Sequence, residues 1–172
     1  MKKVNTMLLV LSAMFIAMGL ALPTVFHSFG MAGSVFLPMH IPVLLCGLIC
    51  GWKYGLVVGA IIPILSSITT GMPPIYPVAI FMAAETATYG AVSGFMMQKF
   101  NVVISLVIAM VAGRISLGIA QFILIGASGN LTFQSFLAGA VVTAVPGIVL
   151  QIILIPIIVM LLKKSGVLNR IA

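Results

Sequence analysis

Apolar residues in this chain come in runs of roughly twenty, about the number a helix needs to cross the hydrocarbon of a bilayer. Six such runs can be drawn: Asn5–Phe26, Phe36–Gly51, Tyr54–Thr70, Tyr76–Gln98, Val102–Gly126 and Gln134–Leu162, the second being the shortest. Between them stand short breaks with the residues that punctuate helices: Trp52–Lys53, Gly71–Pro74, Lys99–Asn101 and Ser128–Asn130. With 63% hydrophobic and only 5% charged residues, this is a composition for lipid. The expected fold is an all-α integral membrane bundle of six transmembrane helices, with residues 1–172 forming a single transmembrane domain.

The net charge of +7 does not point to nucleic acid, because the cations are not gathered with aromatics on one polar face. They stand at the ends of apolar runs, where membrane topology is encoded. Given six spans, Lys2, Lys3, Lys53, Lys99, Lys163, Lys164 and Arg170 all fall on one side, and the opposite connections carry no Lys or Arg. Both termini are therefore expected in the cytoplasm, in a multi-pass protein of the cell membrane. The start, MKKVNTMLLVLSAMFIAMGLALP, has the look of a signal peptide, but its apolar run is long enough to span, so an uncleaved first helix is expected.

Several chemistries are excluded or disfavoured. Short loops leave no room for a nucleotide-binding unit, and no GxxxxGK[ST] phosphate loop occurs, so any ATPase must be another chain. Cys46 and Cys50 share a helix face but lack further ligands for a metal, and read as buried thiols. His27 and His40 flank the first outer connection without a carboxylate or cysteine at ligand spacing, so no metal site is expected, only a pocket-rim or interfacial role. With no paired carboxylates and no nucleophile–base set, the chain is not expected to be an enzyme.

Two residues stand apart. Glu85 is the only acidic residue in the chain, and Arg114 is the only basic residue deep within an apolar run. An ionisable group in lipid is costly unless paired or wetted, and so marks a candidate functional site. The fourth and fifth runs are antiparallel neighbours, and both residues lie about 20 Å from the turn between them at about 1.5 Å per residue. Equal depth admits two readings: an ion pair that tethers two helices, or charges lining a polar cavity.

Face-neighbours favour the cavity. Arg114, Gly118 and Gln121 share one stripe of the fifth helix, and Glu85 shares its face with Met82 and Tyr89. Gly139, Thr143, Gly147 and Gln151 recur every four residues on the sixth, a stripe that equally suits tight packing. Ala13, Ala17 and Ala21 do the same on the first helix, and Gly47, Gly51, Gly55 and Gly59 run across the second and third. Small residues at this spacing let backbones approach, within the chain or across an interface. The connection His27–Met39 is longer and more apolar than a turn requires, and reads as a lid or as an idle interfacial segment.

The pattern resembles the substrate-binding S component of energy-coupling-factor (ECF) vitamin transporters. The resemblance is carried by six helices with inside termini, by Ala13–Ala17 on the first helix and by a long first outer loop. The stretches LPMHIPVLLCGLICGWKYGLVVGAIIPILSSITTGMPP and YPVAIFMAAETATYGAVSG look like that family's second to fourth helices. The resemblance implies a binding subunit whose partners are a membrane coupling subunit and two ATPase subunits, with Ala13, Ala17 and Ala21 at the coupling interface. It implies a substrate site enclosed by the fourth to sixth helices and outer loops, where Glu85, Arg114, Gln121 and Asn130 fall; Tyr89 and Thr143 join them as candidates from their helix faces. The second half of the chain has no tryptophan, which argues against stacking a flat cationic ring on indole.

The expected function is thus substrate binding for an ATP-driven importer of a vitamin or cofactor precursor, with no cofactor of its own. Arg114 suits a carboxylate, as in pantothenate, because its planar fork matches that geometry. Glu85 could instead neutralise Arg114 and leave a pocket for neutral polyols or a flavin. The competing function is a stand-alone secondary transporter using Glu85 as a proton carrier, for which neither inverted repeats nor several titratable groups are visible.

Overall fold

A computed structural model describes residues 5–28, 36–125 and 144–165. These form six helices and no strands: α1 (Thr6–Ser28), α2 (His40–Cys50), α3 (Trp52–Thr70), α4 (Ile80–Met96), α5 (Val102–Ile125) and α6 (Val145–Lys164). Five helical segments are long and apolar enough to cross a membrane, α4 together with the π turn Ile75–Ala79 that leads into it. The ends are set by local chemistry. The Asn5 carboxamide oxygen accepts the Met7 N–H at 3.1 Å and that of Asn101 accepts the Ile104 N–H at 2.9 Å, so each satisfies an amide that a helix start leaves orphaned.

The expected second span is corrected. Instead of a helix over Phe36–Gly51, α2 has 11 residues, preceded by Leu37 in the left-handed region (φ 49°) and by Pro38. At 1.5 Å per residue it is roughly 16 Å long, about half of the hydrocarbon thickness. All of its residues except Ile49 are buried, so it is a short core helix surrounded by α1, α3, α4 and α6. The break to α3 is corrected too: it falls on Gly51 alone, at φ 92°, rather than on Trp52–Lys53, which already belong to α3. The first ten residues expected for the sixth span lie outside the described residues, and α6 is seen from Val145.

The small-residue stripe across α2 and α3 packs inside the chain. A Cβ on Gly47 or Gly55 would run into the Gly90 carbonyl, and one on Gly59 into the backbone of Thr86. Gly94 answers from α4, where a Cβ would meet the Gly47 carbonyl and the Trp52 backbone. Backbones at this distance allow the Thr86 hydroxyl to donate to the Gly59 carbonyl at 2.6 Å. The same junction brings the start of α3, with Lys53 over the Trp52 ring, to the end of α4, where Lys99 lies over Phe95. Two of the cations counted for topology thus stand at one end of the bundle.

On α6 the buried stripe is Gly147, Gln151, Ile155 and Val159. Gln151 donates through Nε2 to the Leu37 carbonyl at 3.4 Å, and the same carbonyl accepts the His40 N–H at 3.1 Å. On α1 the other side of the helix is inward: Ser12, Phe15 and Gly19 are buried, whereas Ala13, Ala17 and Ala21 are exposed alongside Met14 and Met18. Cys46 and Cys50 are free thiols in the core, as expected.

Candidate functional site

Glu85 is 2% exposed and faces three other polar side chains from three helices. Arg114 on α5 places Nη1 2.8 Å from Glu85 Oε1, an ion pair within charge-assisted hydrogen-bond range. Tyr89, one turn along α4, donates its hydroxyl to the same oxygen at 3.0 Å. Oε2 faces His40 on α2, whose Nε2 lies 3.6 Å away, too far for a hydrogen bond. The His40 and Tyr89 rings meet edge to face with centroids 5.3 Å apart.

Local sequence explains the convergence. The i, i+4 spacing of Glu85 and Tyr89 puts both on the side of α4 that faces α5. Gly113, just before Arg114, leaves the volume that the Tyr89 ring fills; a Cβ there would overlap the ring. At the residue just before Glu85, the Ser116 hydroxyl donates to the Ala84 carbonyl at 3.2 Å and ties α5 to α4. The equal depth expected for Glu85 and Arg114 is realised as direct contact.

The cluster is incompletely satisfied. Nε and Nη2 of Arg114 and both ring nitrogens of His40 are buried without a hydrogen-bond partner among the described residues. Native interiors rarely leave such groups unpaired, since each costs about 1–3 kcal/mol. Four unpaired nitrogens thus surround one ion pair and leave donor and acceptor capacity unused.

Of the other sequence candidates, Gln121 is half-buried two turns beyond Arg114 on α5, without a described contact to the cluster. Asn130 and Thr143 lie outside the described residues, as does the core of the suspected lid, residues 29–35. His40 is corrected: it is not at a rim or interface but 1% exposed beside Glu85. Its neighbours in sequence are apolar, and the carboxylate it faces comes from a helix 45 residues on, a proximity that spacing along the chain cannot reveal. Among the described residues no group of three or more His, Cys, Asp or Glu is placed to hold a metal ion.

Long apolar helices around a short buried one, with a polar cluster enclosed at their contact, define a multi-pass helical membrane protein with a buried ion pair in its core. The chain belongs to the ECF transporter substrate-specific component family, whose profile matches residues 7–159. Members are substrate-binding subunits of transporters rather than enzymes, and they associate with a membrane subunit and ATPases. No curated protein and no solved structure gave a match.

Proposed function

We propose that this subunit binds a small vitamin or cofactor precursor bearing a carboxylate, such as pantothenate, for ATP-driven import across the plasma membrane. The observation that carries it is the state of Arg114. Nη1 is committed to Glu85, while Nε and Nη2, which form the other edge of the guanidinium, are buried and unpaired. That edge presents two parallel N–H donors, the geometry that takes a carboxylate in bidentate fashion. Glu85 fixes the orientation of the fork, and Tyr89 holds Glu85. Gln121, Asn130 and Thr143 are the further substrate contacts in this proposal.

The exposed Ala13, Ala17 and Ala21 on α1 are the proposed docking face for the membrane coupling subunit, which two ATPase subunits drive. Small exposed side chains there let a partner helix approach closely. Both termini are placed in the cytoplasm, supported by the one-sided Lys and Arg distribution and by the shared end of Lys53 and Lys99.

Mass spectrometry of small molecules retained by the purified subunit tests the substrate class. A carboxylate-bearing compound that is lost from Arg114→Gln is the expected result; a retained neutral polyol or flavin would reject it. Co-purification of coupling and ATPase subunits separates this function from a stand-alone carrier, which would bring down neither.

A further inference from the structure

The geometry points to His40 as a second substrate-recognition residue, hydrogen-bonding a neutral hydroxyl or amide of the ligand whose carboxylate Arg114 holds. This rests on the carboxylate proposal above. The imidazole is 1% exposed, yet neither Nδ1 nor Nε2 has a hydrogen-bond partner among the described residues. The groups that could have satisfied it are committed elsewhere. Tyr89 gives its proton to Glu85 Oε1, Gln151 gives Nε2 to the Leu37 carbonyl, and Glu85 Oε2 stays at 3.6 Å. The backbone N–H of His40 is also spent, on Leu37.

The ring is nevertheless held in place. Tyr89 packs against it edge to face, and α2 is buried along nearly its whole length. A fixed imidazole with both nitrogens free can accept a hydrogen bond at one and donate at the other, which suits a hydroxyl or an amide. His40 and Arg114 flank one carboxylate, at 3.6 and 2.8 Å, so in this proposal one small ligand beside Glu85 spans both. A ligand with a carboxylate and a neutral polar group a few atoms away is the chemistry they select together.

The test compares wild type, His40→Leu and His40→Gln for binding of pantothenate, biotin and riboflavin by calorimetry, with the melting temperature of each unliganded protein. Leu matches the histidine in size but removes the unpaired nitrogens from the core, so unliganded His40→Leu should melt at or above the wild-type temperature. Its affinity for the bound carboxylate probe should fall at least about tenfold, equivalent to about 1.4 kcal/mol. His40→Gln, which keeps a donor and an acceptor, should stay within about threefold of wild type. Unchanged affinity in His40→Leu, or a fall in melting temperature with it, would make the histidine a structural partner of Glu85 and overturn the assignment. Binding of riboflavin alone would end the carboxylate proposal and leave His40 to be judged by the same comparison on riboflavin. Binding of none of the three by wild type would count against both.

Discussion

Arg114 Nη1 and Glu85 Oε1 lie 2.8 Å apart where α5 crosses α4, and Glu85 is the only acid the chain contains. The other described lysines, Lys53, Lys99, Lys163 and Lys164, stand near helix ends, so among the described residues this is the one buried contact between a Lys or Arg and a carboxylate. Buried pairs are poor stabilisers in themselves but costly to halve, and that asymmetry makes them separable by mutation.

Arg114→Gln should destabilise the subunit by about 3–5 kcal/mol, because it leaves Glu85 buried with only Tyr89 as a hydrogen-bond partner. The double change Glu85→Gln with Arg114→Gln removes both charges at similar volume and should recover most of that loss. A scaffold pair predicts normal ligand affinity in the folded double mutant. The proposed site predicts a fall of at least about tenfold, and wild-type affinity would reject a binding role.

Tyr89→Phe removes the hydroxyl from a buried carboxylate and keeps the ring against Gly113 and His40. Hydrogen bonds to charged groups are worth about 1.5–3 kcal/mol, so thermal or denaturant unfolding should register a loss of that order. A silent mutation would show that Arg114 alone satisfies Glu85.

Glycines that look alike in sequence should respond differently. Gly55→Ala drives a Cβ into the Gly90 carbonyl and should destabilise by about 1–3 kcal/mol or prevent folding, since two backbones must separate. Gly71→Ala meets open space, and its cost is only that of a left-handed backbone (φ 73°, ψ 0°), on the order of 1 kcal/mol. Equal effects in a melting assay would contradict the described α3–α4 packing.

Ala17→Trp alters an exposed face of α1 and should leave equilibrium ligand binding within about twofold of wild type. Transport in the assembled complex, read as uptake into vesicles, should be abolished. Parallel loss of binding and transport would place Ala17 in the fold of the subunit rather than at its partner's surface.

The sequence by itself determined the helical membrane class, the family resemblance and the equal depth of Glu85 and Arg114. Those features are written locally: apolar run length, the i, i+4 spacing of Glu85 and Tyr89, and the equal distance of residues 85 and 114 from one turn. The tertiary structure decided what local pattern leaves degenerate. The repeat of Gly47, Gly55 and Gly59 is the same string whether it meets a partner or its own chain, and only the crossing with α4 at Gly90 and Thr86 assigns it inward. An apolar run of sixteen residues does not announce that Leu37 and Pro38 cut it to an eleven-residue helix buried by four others. His40 followed the same rule: the carboxylate beside it is contributed by another helix, and proximity between helices is set by packing, which no single run of residues encodes.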